Sequence, residues 1–172
     1  MSNFYDVSVG TYKQVLGSVQ GILGKGRVHL EQEGTDLGDI VQTRIYDDML
    51  PFWFQVASVA HHSKGALSAL ESGQFSPPSP LENPTWDSLE ALVAESIAAA
   101  DAVCADTINV SAEGEVVFSM GKFSMTFNAA DFILTFSLPN FYFHAATTYD
   151  ILRMKGVPLG KQDFLGQMRI KG

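Results

Sequence analysis

A chain of 172 residues, 46% hydrophobic and 17% charged, is long enough for one substantial core and far from the composition of a disordered protein. Eleven Lys plus Arg against nineteen Asp plus Glu give a net charge of −8 with no basic cluster, which argues against nucleic acid as a partner. The lone cysteine, Cys104, excludes an intrachain disulfide and a paired-cysteine zinc site. With no signal-peptide pattern and no apolar run of membrane-spanning length, a cytoplasmic single domain over 1–172 is the expectation.

In "VGTYKQVLGSVQGILGKGRVHL" the residues Val9, Tyr12, Val15, Leu16, Val19, Ile22, Leu23 and Leu30 fall on one stripe and predict a first long helix. Glycines at 17, 21, 24 and 26 each cost that helix roughly 1 kcal/mol relative to Ala, which close approach of a neighbouring helix would explain. Residues 34–50 read as a connection holding a brief helical turn. Pro51 then opens a second helix to about Ser72, with Phe52, Val56, Val59, Ser63, Ala66, Leu67 and Leu70 on its inner face.

"GQFSPPSPLENP" is a long connection, and Asn83 before Pro84 reads as the cap of a third helix, "TWDSLEALVAESIAAADAVC". Trp86, Leu89, Val93, Ile97 and Ala100 point inward from it, and Cys104 at its end reads as a buried, inert thiol. The β signal is "EVVFSMGKFSMTF". A type II′ turn at Gly121-Lys122 sets Met120 against Phe123, Phe118 against Met125 and Val116 against Phe127, all on one side of a hairpin.

Asn128 with Asp131 resembles a capping arrangement before a fourth helix, whose inner face reads Phe132, Ile133, Phe136, Phe143, Thr147, Ile151 and Met154. Phe141 and Tyr142 fall off that stripe and could face a partner chain. Pro139 should kink the axis, and Gly156 and Pro158 end the helix. Periodicity alone therefore predicts an all-α, four-helix bundle with a small hairpin inserted before the last helix, and a bundle places any ligand site between facing helices.

Two imidazoles and an amide can converge there. His62 lies at the flank of the inner stripe of the second helix, two turns after Gln55, with His61 on the opposite side. His144 lies at the edge of the fourth helix with Asn140 and Thr148. Imidazole suits Zn, Ni or Fe, so His144 and His62 are the candidate metal ligands, with Gln55, Asn140 and Thr148 lining the pocket. The competing reading is a hydrogen-bonded core histidine with no metal at all. His29 ends the first helix, where the helix dipole favours it, and Asp47 and Asp48 precede the second helix at its favourable end. No phosphate loop, nucleophile elbow or HExxH motif occurs.

"RIYDDMLPFWFQV", "LPNFYFHAATTYDILR" and "GVPLGKQDFLG" together resemble an uncharacterised bacterial and fungal domain-of-unknown-function family grouped with the DinB/YfiT-like metalloenzymes. The resemblance covers nearly the whole chain. It implies an up-down-down-up four-helix bundle, often a homodimer, and a three-histidine metal site with an HxxxH pair on the last bundle helix. Some members are metal-dependent thiol transferases. By position His144 matches the first histidine of that pair, Thr148 stands where the second would be, and His61 or His62 lies near the remaining ligand. Two functions follow as expectations: a DinB-like protein with an altered divalent-metal site, a transferase or hydrolase-like enzyme if it is one, or a non-catalytic homodimeric bundle without metal.

Overall fold

The apolar stripe that begins at Val9 produces the longest helix of the chain. In the computed structural model, which describes residues 3–171, it is α2 (Val9–Gln32), preceded by a short α1 (Phe4–Val7) with an Asn3–Asp6 capping box. The brief helical turn is α3 (Leu37–Val41), capped by the Asp36 carboxylate on the Gly38 amide. Pro51 stands one residue ahead of α4 (Phe52–Ala60), which continues through a π-helical turn (His61–Gly65) into α5 (Ala66–Ser72).

After the two-residue strand β1 (Gln74–Phe75) come α6 (Trp86–Ala102), α7 (Ala105–Ser111) and the strands β2 (Glu115–Met120) and β3 (Phe123–Asn128). A single turn of α8 (Ala129–Asp131) leads into a second π-helical turn (Phe132–Ser137) and α9 (Leu138–Met154). A short α10 (Lys161–Leu165) follows. The fold is thus mostly helical with a small sheet. The long helices pack in a cycle, α2 against α6 and α9, α4 against α6 and α9, and α10 folds back on α2. Their inner faces form one apolar cluster that includes Leu16, Val56, Leu89 and Ile151. No helix among the described residues is long and apolar enough to cross a membrane.

The hairpin register is the one the turn dictates: Met120 opposite Phe123, Phe118 opposite Met125, Val116 opposite Phe127. Gly121 takes φ +61 and Lys122 does not share the positive sign, as a type II′ turn requires. The sheet has a third member that the sequence reading missed, β1, pairing parallel to β2 with Phe75 level with Phe118. Val116 and Phe118 are buried, while Met120 and Phe123 at the tip project past the helices and stay exposed.

Several expectations are corrected. The cap of α6 is Thr85, in a capping box with Ser88, and Asn83 instead adopts φ +49 in the connection. The helix stops at Ala102, so Cys104 begins the separate α7 and is exposed rather than buried. Asn128 makes no backbone cap and bonds the Asp131 carboxylate instead. Of the glycines at 17, 21, 24 and 26, Gly26 alone serves close packing among the described residues, against Trp86 and Leu152. Gly17, Gly21 and Gly24 have nothing within 4 Å of where a Cβ would lie.

On α9 the expected inner face holds at Thr147 and Ile151, which are buried, and Tyr142 is exposed as expected, but Phe141 is fully buried and Phe143 and Met154 are exposed. The cause is the π turn before it. There Leu138 N–H reaches back five residues to Ile133 O, so one extra residue enters the turn and the buried stripe of α9 is rotated towards Phe141, Ala145 and Leu152. Pro139 supplies the reason for the wide turn. It has no N–H to donate and its ring crowds the carbonyl four residues earlier, which an ordinary kink or a π turn relieves.

Candidate functional site

The site starts from Gln55, wholly enclosed on α4. Its amide Nε2 donates to Leu50 O at 2.9 Å, which turns Oε1 towards α9, where His144 Nδ1 lies 2.8 Å away. An amide oxygen only accepts, so Nδ1 carries the proton, and in the neutral ring Nε2 holds the free lone pair. Burial lowers the His144 pKa to about 4, so the neutral form is the one present near pH 7.

His62 sits two turns beyond Gln55, in the first π turn, and is 7% exposed. Its ring centre is 6.0 Å from that of His144, with the ring planes only 14° apart. Burial, then the proximity of His61 and His144, lowers its pKa to about 3. Its Nδ1 is buried and has no hydrogen-bond partner among the described residues. Neither has Ser58 Oγ, one helical turn earlier on the same face as Gln55 and His62. Two orphaned polar atoms side by side in an enclosed place are costly unless something binds them.

Aromatic rings wall the pair. Phe75 and Phe136 lie 5.6 and 5.8 Å from His62, and Phe54 and Phe143 lie 5.9 and 5.2 Å from His144, centre to centre. His61 lies on the outer flank with Ala57 and Lys64. Its ring centre is 5.4 Å from that of the adjacent His62 and 4.4 Å from that of Phe75. Its Nε2 is 2.8 Å from Ser76 O, so that nitrogen is a donor, and burial lowers its pKa against a smaller opposing effect of this bond. A surface cavity of about 280 Å³ beyond it is lined by His61, Lys64, Leu81 and Leu92.

The other two expected lining residues turn away from the pair. Asn140 Nδ2 donates to Phe136 O at 2.7 Å, and Thr148 Oγ1 donates to His144 O at 2.9 Å. Each closes onto its own helix, the usual choice for a short polar side chain in a buried helical position. His29 stands in the last turn of α2, remote in sequence position from the pair.

As a metal centre, the donor set is a half-site. Two imidazoles on one ion, with N–metal distances near 2 Å, hold their ring centres about 5 to 6 Å apart, which the His62–His144 spacing meets. The Gln55 bond to the far nitrogen of His144 is the outer contact that a ligating imidazole commonly has. No group of three His, Cys, Asp or Glu able to hold a metal occurs among the described residues. The residues therefore fit a two-histidine site and do not fit the three-histidine arrangement implied by the resemblance.

The structure brings His62, His144 and Gln55 together, and adds Ser58 and Phe75, which the sequence did not point to. Ser63 and Gly65 were the available signal for the first π turn: Ser63 Oγ donates to Val59 O at 2.7 Å, competing with the helix's own bonds.

The chain belongs to the family described as a domain of unknown function, DUF1993, whose family model matches residues 4–165. Its structure is similar to the crystal structure of a DinB family member protein from Shewanella denitrificans. The two share 23% sequence identity and a TM-score of 0.81, over 98% of this chain and 94% of that one, a likeness of fold. No curated protein matches the chain.

Proposed function

We propose that this is a single-domain, DinB-like up-down-down-up helix bundle whose paired imidazoles take a divalent transition metal ion, Zn, Ni or Fe, in an altered site of two histidines. The supporting observation is the buried, unpartnered Nδ1 of His62 beside a His144 that Gln55 holds with its Nε2 unprotonated. His62 and His144 would be the ligands. Gln55 orients His144 and keeps its tautomer, while Phe54, Phe75, Phe136 and Phe143 limit water around the pair. Depressed pKa values favour this role, because no proton has to be displaced from either ring near neutral pH. A bound ion with so few protein ligands would supply Lewis acidity and lower the pKa of a water or thiol.

The second reading is a non-catalytic homodimeric bundle in which His144 is a hydrogen-bonded core residue. What favours it is Thr148, a neutral hydroxyl turned to His144 O at the position where the HxxxH pattern has its second histidine. Metal content of untagged protein, with His62→Ala and His144→Ala beside it, separates the two. Near-stoichiometric metal that both variants lose supports the first reading. Protein that takes up no Zn, Ni or Fe when challenged, with a His144→Ala variant that loses only stability, sinks it and supports the second.

A further inference from the structure

The geometry points to Tyr12 and Ser137 as positioning residues for His62, acting through a chain of hydroxyls that ties α2 and the second π turn to the first. The inference rests on the reading of His62 as a ligand-facing imidazole. Ser137 Oγ lies 2.7 Å from His62 O, and a carbonyl only accepts, so Ser137 donates there. Tyr12 OH lies 2.7 Å from the same Oγ, whose proton is already committed, so Tyr12 donates to Ser137. The direction is fixed: Tyr12 to Ser137 to the backbone of His62.

All of this is sealed from water, with Tyr12 and Ser137 both at 0% exposure. Burial raises the Tyr12 pKa well above its ordinary value, so the phenol stays a donor throughout the accessible range. The ring is fixed as well, packing edge-on against Phe141 at 5.1 Å between centres.

The chain ends on the residue where it matters. In the first π turn Ala66 N–H reaches back five residues to His61 O, and the next carbonyl along, His62 O, is the one that Ser137 meets. Ser137 is itself the last residue of the second π turn. Both irregular turns are thus joined at one hydrogen bond, and each places one ring of the pair: the first holds His62, the second sets the phase of α9 and with it His144. A π turn that slides by one residue swings its side chains by about 100°, enough to carry His62 away from His144. Among the described residues no other side-chain hydrogen bond reaches the backbone of His62 from another element.

The test reads the ring itself. In metal-free, full-length protein labelled with ¹⁵N-histidine, the imidazole nitrogen shifts at neutral pH are compared between wild type, Tyr12→Phe and Ser137→Ala. The expected result is that both variants change the His62 ring shifts, as its surroundings alter, and leave those of His29 in place. In Ni²⁺-loaded samples the dissociation constant then rises roughly 10-fold, as for outer partners of a metal ligand. Tyr12→Phe removes one oxygen and keeps the ring packing, so it carries the test if Ser137→Ala does not fold. A folded Tyr12→Phe protein with unchanged His62 ring shifts, only easier to unfold, overturns the inference and leaves the hydroxyl chain a packing feature. Because the shifts are read without metal, wild-type protein that binds none sinks the cation reading and still returns an answer here.

Discussion

His62 and His144 are neutral in the folded protein because they are enclosed, and the sign of the resulting pH dependence can be worked out. Their pKa values are about 3 and about 4 in the fold, against an ordinary 6.5 that both regain in the unfolded chain. Between 6.5 and the folded values the unfolded state binds more protons, so stability is complete above pH 6.5 and is lost progressively as pH falls below it. Each group can contribute at most ~1.4 kcal/mol per pH unit, and the half-buried His144 less, since solvent screens it. Urea midpoints at pH 7.5, 6 and 5 should fall for the wild type, and His144→Gln should flatten that fall. Parallel curves for the two proteins would mean that the His144 ring is not held neutral. The identity of the pair was legible from Gln55, His62 and their seven-residue spacing. The neighbouring polar atoms were not, because Ser58 becomes notable only once it is buried without a partner, and Ser137 only once it reaches across to His62 O.

The stripe on α2 could be read because ideal α geometry holds over its whole length, whereas on the fourth helical segment a π turn breaks the count and Phe141 trades places with Phe143. Proline marks that break in the sequence, but sterics around Pro139 allow either a kink or a wide turn, and packing decides between them. The glycines of α2 divide in a way no pattern shows. At Gly17 and Gly21 a methyl group would meet open space, so Gly17→Ala and Gly21→Ala should each stabilise the protein by roughly 0.5–1 kcal/mol through helix propensity and the unfolded chain. At Gly26 the same change meets Leu152 at 3.1 Å and Trp86 at 3.3 Å and should destabilise. Thermal unfolding of the three variants checks both signs. A gain at Gly26 would mean that this crossing is looser than its geometry.

For the molecule as a whole, Trp86 is where the elements meet. It stacks on Phe52 of α4 with ring centres 5.4 Å apart and packs under Gly26 of α2. Its Nε1 donates to Glu90 at 3.0 Å, and Glu90 in turn accepts from Arg27, which also pairs with Asp87. Trp86→Ala should therefore cost about 3–5 kcal/mol, read as a drop in the urea midpoint with little change in slope. A loss below ~1 kcal/mol would show that the cluster rearranges to fill the space. The helical architecture was legible because long amphipathic stripes report it directly. The third strand was not, since two residues, Gln74 and Phe75, leave no alternation to detect, and their pairing with β2 depends on chain distant in sequence.

The same enclosure sets the two indoles of this protein in different surroundings. Of its two indoles, Trp86 is buried with its Nε1 on the Glu90 carboxylate. Trp53 is half-buried beside Phe54, whose ring abuts His144. Unlabelled protein thus carries one indole in its core and another a single aromatic ring away from the imidazole pair, so a Trp53→Phe variant is expected to lose any emission change that follows events at the pair while keeping the one that follows unfolding.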